Sequence, residues 1–213
     1  KGGILARIEQ LMKQTEAEHA KLTAETGQMQ AELEASDAPK IAALKEQVQN
    51  FLLEFKIAEA SKVLADTAME SDKGQTDKAV LEQQVEWMTR LRDNLVADLE
   101  KVESKLPVER KSGQAVPPGR VKATSERVEI WLPQGRLPIP WDDVKSESIF
   151  ALAKSQFARD LPPDDLAERK WDLGIYAMVL GRDEESRELV NDAVVLKGSY
   201  QEMMPALEKL RGG

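Results

Sequence analysis

The sequence predicts a mainly α-helical protein, an antiparallel helical bundle or set of hairpins that carries a small β insert of two or three strands. Up to residue 107, apolar residues recur three or four positions apart among Glu, Gln, Lys and Ala, as in amphipathic helices. Residues 120–132 instead alternate apolar and polar side chains, which is typical of strands. These patterns divide the chain into a helical arm, a helical hairpin or bundle, the β insert and a C-terminal helical region, at residues 1–36, 37–107, 113–141 and 142–213.

The composition describes an acidic chain of 213 residues with a net charge of −8, one histidine and no cysteine. Nucleic acid is not a predicted partner, because the sequence has no basic stripe to neutralise phosphates. The lack of cysteine removes disulfides and thiol nucleophiles. No apolar run reaches the ~18 residues that a membrane span needs. We therefore predict no cofactor, no metal site and no membrane insertion by this segment.

The chain begins with Lys1 rather than Met, and we expect it to be a trimmed part of a larger protein. A targeting segment or an anchor that once preceded it would then be invisible here. The compartment stays open, and an extracytoplasmic location (periplasmic or membrane-anchored) is one of the alternatives.

The first 36 residues predict a helical arm with a narrow apolar stripe. Thr15, Glu18 and Glu25 interrupt the stripe. Its apolar members are Ile4, Ile8, Leu11, Leu22, Met29 and Leu33. A stripe this narrow cannot bury itself, so the arm is expected to pair with another helix. That helix belongs either to the same chain or to a second copy, as in a coiled-coil homodimer.

Residues 37–107 predict three or four antiparallel helices. A helix break is expected at Ser36-Asp37-Ala38-Pro39, with Asp37 as the N-cap of the next helix. The apolar phase changes near Phe55, which indicates two helices that meet in a tight turn. After a polar stretch at residues 71–74, a long helix is predicted from Lys78 to Leu106.

The β insert contains two predicted strands, Arg120–Ala123 and Arg127–Leu132, and a third, edge-like strand at Leu137–Ile139. A ribbon of this size is not stable alone, so it is expected to lie on the helices. Its alternation places Val128, Ile130 and Leu132 on one face and Trp131 on the other.

Two C-terminal helices are predicted on either side of Gly181. Within residues 167–198, the helical hairpin resembles a single unit of the tetratricopeptide family, although Ala177, Ser186 and Gly198 depart from that family's usual residues. The residues that carry the resemblance are Leu173, Gly174, Gly181, Val190 and Ala193. The resemblance implies a hairpin in which Gly174 and Ser186 allow close helix contact.

A second resemblance covers more of the chain. Its order of elements is similar to non-catalytic regions of bacterial receptor-type serine/threonine kinases and related extracytoplasmic proteins. The segments that carry it are Phe55 to Leu64, Val121 to Leu132, Trp141 to Val144 and Ile149 to Leu152. This resemblance implies a ligand- or partner-binding region without catalytic residues.

The sequence offers no catalytic constellation, and we predict that the chain is not an enzyme. The only histidine, His19, lies on the polar arm and is interpreted as a surface residue. Asp142-Asp143 and Asp164-Asp165 precede helices, where negative charge offsets the helix dipole. A hydrolase with paired aspartates remains as a third alternative.

We therefore predict a non-enzymatic protein–protein interaction or scaffold module that binds a protein or peptide partner. The alternative is a small-ligand sensor with a Trp-lined pocket where the β insert meets the C-terminal helices. In either case the candidate contact residues are Trp131, Trp141, Trp171, Tyr176, Arg120 and Arg136.

Overall fold

The computed structural model describes residues 2–102 and 104–212, and within them it confirms the mainly α-helical class with a small β insert. The α-helices are α1 Gly2–Leu53, α2 Ile57–Asp66, α3 Asp72–Lys101, α4 Ser146–Ser155, α5 Pro163–Val179, α6 Asp183–Leu196 and α7 Met204–Arg211. The strands are β1 Arg120–Ala123, β2 Arg127–Leu132 and β3 Gly135–Pro140. Short 3₁₀ helices occupy Trp141–Asp143, Gln156–Ala158 and Gly198–Met203. The described residues do not include Lys1 or Gly213, at which the first predicted segment begins and the last one ends. The Ile4 side chain also lies outside them.

The described chain forms two compact units. The first consists of Lys1–Ala43 and Ala68–Lys78, and the second of Leu44–Thr67 and Ala79–Gly213.

In the first unit, the predicted helix break at residues 36–39 is wrong, because α1 continues through Pro39. Asp37 instead holds the segment that leads into a different helix, α3. Its carboxylate accepts hydrogen bonds from the backbone N–H groups of Glu70 and Ser71 at 2.8 and 2.7 Å. Lys40 donates to the same carboxylate at 3.1 Å. These donors, with the Ser71 N–H as the largest cause, hold the pKa of Asp37 well below its usual value.

The predicted start of the long helix at Lys78 is also wrong, since α3 begins at Asp72 and ends at Lys101. Ser71 is the N-cap residue, because its hydroxyl accepts a hydrogen bond from the Gly74 N–H at 2.9 Å. A Cβ atom on Gly74 would lie only 2.6 Å from Asp37 Oδ2. The polar stretch that suggested a loop is therefore a capping site that needs glycine.

Gly74→Ala is expected to destabilise the protein by about 1–3 kcal/mol, because the new methyl group overlaps the Asp37 carboxylate. Gly27→Ala is the matched control, since a Cβ atom on Gly27 meets nothing within 4 Å. Replacing glycine in the helix interior there should stabilise the protein by about 1 kcal/mol. Thermal unfolding followed by circular dichroism measures both. A Gly74→Ala protein as stable as the wild type would show that the close approach does not matter.

In the second unit, α1 ends at a turn around Phe55, as the change of apolar phase predicted. Phe55 has a φ of 61°, a left-handed conformation that costs a non-glycine residue about 1–2 kcal/mol. The Lys56 N–H donates to the Phe51 carbonyl at 2.8 Å, and the Phe55 N–H donates to the Leu52 carbonyl at 3.0 Å. This pair of bonds is a Schellman motif, in which phenylalanine takes the place usually filled by glycine.

The Phe55 ring offsets that backbone cost because it is 4% exposed and packs among other aromatic rings. Its centroid lies 5.3 Å from that of Trp141 and 5.5 Å from that of Tyr176. Phe150 lies 6.4 Å from Tyr176 and completes the group. We call Phe55, Trp141, Phe150 and Tyr176 the aromatic cluster.

Phe55→Ala should lower the free energy of unfolding by about 3–5 kcal/mol, because it leaves a cavity in the aromatic cluster. Phe157→Ala is the matched control, since Phe157 is only partly buried. The Phe157→Ala variant should lose clearly less free energy of unfolding. Urea unfolding of both variants gives the comparison, and equal losses would contradict a central role for the aromatic cluster.

The hairpin of α5 and α6 has the close contact that the sequence predicted. A Cβ atom on Gly174 would lie 2.9 Å from Val190 Cγ2 and 3.3 Å from the Ser186 carbonyl oxygen. Gly181 ends α5 with a φ of 71°, and the Arg182 N–H donates to the Ala177 carbonyl at 2.8 Å.

Two buried carboxylates on α3 and α5 are held by arginine side chains. Asp98 accepts hydrogen bonds from Arg159 Nη1 at 2.8 Å and from Arg169 Nε at 2.7 Å. Asp172 is fully buried and accepts two hydrogen bonds from Arg90, at 2.6 and 2.8 Å. Burial raises the pKa of Asp172 to about 7, even though the hydrogen bonds from Arg90 oppose the rise.

The raised pKa predicts that the protein loses stability between pH 5 and pH 7. In this range folded Asp172 keeps a proton that the unfolded chain, with a pKa near 3.8, has already released. The free energy of unfolding should therefore fall as the pH rises, by a few kcal/mol in total. Urea unfolding across this range should show the fall, and Asp172→Asn should flatten it while lowering overall stability. A wild-type profile with no fall in this range would contradict the raised pKa.

Candidate functional site

The three strands form an antiparallel sheet in the order β1-β2-β3, with an apolar inner face and a polar outer face. The inner face consists of side chains that are at most 4% exposed, namely Val121, Ala123, Val128, Ile130 and Ile139. Leu132 shares this face by register and is partly buried. The predicted alternation is confirmed, and it leaves Trp131 on the outer face.

Trp131 lies at the centre of the outer face because β2 is the middle strand. In the register of the sheet it stands directly opposite Arg120 of β1 and Arg136 of β3. The guanidinium carbon of Arg136 lies 4.1 Å from the Trp131 ring centroid, and Lys122 Nζ lies 4.9 Å from it. Both distances are within the range of cation–π attraction. The ring is therefore partly covered by charged side chains.

The outer face is basic although the chain as a whole carries a net charge of −8. The register assigns to this face one carboxylate, Glu129, and four cationic side chains, Arg120, Lys122, Arg127 and Arg136. Glu129 is 8% exposed and accepts a hydrogen bond from Arg127 Nε at 3.0 Å. Arg136 Nη1 lies 3.9 Å from Glu129 Oε2. By register, this face therefore carries more cationic side chains than carboxylates.

Arg136 is the cation of this face that is best placed to meet a ligand. Its side chain is 61% exposed, and its ion pair with Glu129 is too long for a hydrogen bond. The Trp131 indole nitrogen is buried and makes no hydrogen bond within the described residues. A buried donor left unpaired costs about 1–3 kcal/mol.

The free edge of β3 is protected by proline. Leu132 and Gly135 close the two-residue turn between β2 and β3, so they form a hydrogen-bonded pair. The alternation of such pairs places the nitrogens of Pro138 and Pro140 on the side away from β2. Because proline has no N–H to donate, this edge is poorly suited to receive another strand. A partner therefore has better access to the face of the sheet than to its edge.

The structure does not bring the six predicted contact residues together. Arg120, Trp131 and Arg136 share the outer face, whereas Trp141 and Tyr176 belong to the buried aromatic cluster. The Trp141 indole N–H donates to the carbonyl of Thr124, in the turn between β1 and β2, at 2.9 Å.

Trp171 lies in a separate buried group. It is 0% exposed, its ring stacks on Tyr200 with centroids 4.8 Å apart, and Trp87 meets it edge-on at 5.4 Å. Burial raises the pKa of Tyr200 to about 12, so this hydroxyl stays protonated. These contacts make Trp171 a packing residue in the described structure.

Sequence reasoning missed two members of the outer face, Lys122 and Arg127. Both alternate with the inward-facing Val121 and Val128, so the strand period alone would have placed them beside Trp131.

The carboxylate pairs lie where the dipole argument predicted. Asp142 and Asp143 are in the first turn of a 3₁₀ helix, and Asp164 and Asp165 are in the first turn of α5. Asp143 accepts a hydrogen bond from Arg110 Nε at 2.6 Å. Among residues 2–102 and 104–212, no group of three or more His, Cys, Asp or Glu side chains is arranged to hold a metal ion. The helices there include none that is long and apolar enough to cross a membrane.

The fold and the site define a mainly helical protein that presents a basic, tryptophan-centred sheet face. Comparison of the chain with protein-family models, with curated proteins and with solved structures found no match. Both resemblances noted in the sequence therefore stay predictions.

Proposed function

We propose that the chain is a non-enzymatic protein-interaction module and that the outer face of the sheet binds an acidic segment of a partner protein. The observation that carries the proposal is the partly buried ring of Trp131, flanked by Arg120 and Arg136 in an otherwise acidic chain. The aromatic ring supplies contact area, and guanidinium groups bind carboxylates through paired hydrogen bonds.

The spacing of the two arginines specifies the partner further. Arg120 and Arg136 lie two strands apart, which corresponds to about 9.6 Å across the sheet. A polyproline II segment repeats its orientation every three residues and advances about 9.3 Å in that distance. Acidic residues at every third position of such a segment therefore match the spacing of the two arginines, and the residues between them would lie on Trp131. A proline-rich acidic segment fits this face best.

Packing supports the outer face over a pocket lined by tryptophans. Trp141, Trp171 and Tyr176 are at most 4% exposed and make their contacts inside the protein. Trp131 is the candidate aromatic residue whose surroundings are both exposed and charged.

The test uses a fluorescently labelled peptide of repeated Glu-Pro-Pro units and the full chain. We expect binding at low ionic strength that weakens as salt is added, because exposed charges are screened. Arg136→Gln should weaken binding at least tenfold. Arg187→Gln is the matched control, since it removes the same charge from an exposed position on α6. Fluorescence anisotropy gives the affinities.

Three outcomes would contradict the proposal. The peptide fails to bind; Arg187→Gln weakens binding as much as Arg136→Gln; or the same peptide with Gln in place of Glu binds equally well. A single-stranded oligonucleotide that displaces the peptide and binds more tightly would reassign the face to nucleic acid.

A further inference from the structure

The N-terminal part of α1 carries an exposed apolar stripe, which is not part of the sheet face proposed above as a binding site. We call it the arm stripe and define it by side chains that are 48–63% exposed, namely Ile8, Leu11, Met12, Leu22 and Met29. Leu33 continues it and is partly buried. The stripe follows the alternating spacing of four and three residues that is typical of a helix that pairs with another helix. Its positions are 8, 12, 15, 19, 22, 26, 29 and 33.

Three polar residues, Thr15, His19 and Thr26, occupy positions inside the arm stripe. Thr15 and Thr26 donate their hydroxyl hydrogens to the carbonyls of Leu11 and Leu22, one turn earlier, at 3.0 and 2.8 Å. Their donors are therefore satisfied within the helix, and their methyl groups are left to face a partner. The stripe is therefore two apolar patches, Ile8 to Met12 and Leu22 to Leu33, separated by a polar segment that contains Thr15 and His19.

Both borders of the arm stripe are acidic. At 100° per residue, the border positions are occupied by glutamates at Glu9, Glu16, Glu18, Glu25, Glu32 and Glu34. Arg7 is the cation at the border in this part of the chain, and Lys13 lies toward the back of the helix. Lys21 Nζ lies 3.7 Å from Glu25 Oε1, but both side chains are more than half exposed, so this pair screens the border only slightly.

The charge of the borders distinguishes among the surfaces that could cover the arm stripe. A second copy of the arm would supply no complementary charge. An antiparallel pair sets Glu18, Glu25 and Glu32 of the two copies against one another, and a parallel pair sets Glu18 and Glu25 beside Thr23 and Gln30. An anionic lipid surface would repel the same residues. A helix with Lys or Arg at its own borders would pair with glutamate on both sides while its apolar residues cover the stripe.

We propose that the arm stripe docks a basic amphipathic helix of another protein. From Ile8 to Leu33 the stripe extends about 38 Å along the helix, which corresponds to a partner of about four heptads. This proposal does not rest on the outer face of the sheet, and its experiment distinguishes the two surfaces.

The experiment measures binding of synthetic amphipathic helices to the full chain by isothermal titration calorimetry. The probe is a peptide of four heptads with Leu at the two core positions and Lys at both borders. A second peptide carries Glu at the borders instead. We expect the lysine peptide to bind at least tenfold more tightly than the glutamate peptide. Arg136→Gln, which changes the sheet face, should leave the affinity within twofold.

One pair of variants tests the apolar part of the site. Leu22→Gln combined with Met29→Gln keeps helix-forming residues but makes the stripe polar, and it should weaken binding at least tenfold. Ala17→Gln combined with Ala24→Gln makes matched changes at exposed positions on the back of α1 and should change affinity less than twofold.

A second pair tests the charges. The border variant replaces four glutamates by glutamine, at Glu16, Glu18, Glu25 and Glu32. The control variant makes the same replacement at four exposed positions elsewhere, at Glu59, Glu86, Glu184 and Glu188. The border variant should weaken binding at least tenfold, and the control variant less than threefold.

Several results would overturn the proposal. Equal losses of affinity in the two charge variants would mean that the peptide is attracted to any acidic protein. Equal affinity for the lysine and glutamate peptides would mean that the borders do not select the partner. Concentration-dependent dimerisation of the chain alone, abolished by the Leu22→Gln and Met29→Gln pair in sedimentation equilibrium, would make a second copy the occupant.

Discussion

The second unit depends on Phe55, whose left-handed backbone conformation turns the chain from α1 into α2 and directs the ring into the aromatic cluster. That cluster joins three distant parts of the sequence. Phe55 ends α1, Trp141 follows β3, and Tyr176 lies on α5. The Trp141 indole N–H in turn holds the turn between β1 and β2 through the Thr124 carbonyl. The sheet is thereby anchored from its inner side, which leaves its outer face available for binding.

The arginines of the chain serve two different purposes. Arg90, Arg159 and Arg169 are bonded to buried aspartates between α3 and α5, where they compensate the cost of carboxylate burial. Arg120 and Arg136 flank an aromatic ring at the surface instead. The overall net charge does not show these two groups of arginines, because a chain with a net charge of −8 still has several cations on one face of its small sheet. Local register, rather than composition, reveals the candidate site.

Local periodicity was sufficient to predict the mainly helical class, the bounds of β1 and β2, and the outward direction of Trp131. It failed where distant residues decide the structure. Asp37 resembles an N-cap of its own helix, but its hydrogen bonds go to Glu70 and Ser71, more than thirty positions later, so the helix does not break. The six candidate contact residues do not lie together in the fold, for a related reason. Strand parity determines which way Trp131 points, whereas the burial of Trp171 depends on Trp87 and Tyr200, which no local pattern connects to it.

The two proposed surfaces differ in the physical basis of binding, and this difference bears on what the module does. The sheet face offers cations around a single aromatic ring, so its affinity would come mainly from charge and fall steeply with salt. The arm stripe offers a long apolar surface with charged borders, so salt would reduce its selectivity more than its affinity. The arm is also a poor ligand for the sheet face of a second copy, because one tryptophan cannot cover apolar residues distributed over about 38 Å. Surfaces of opposite charge would therefore favour two different partners, which agrees with the proposed interaction module.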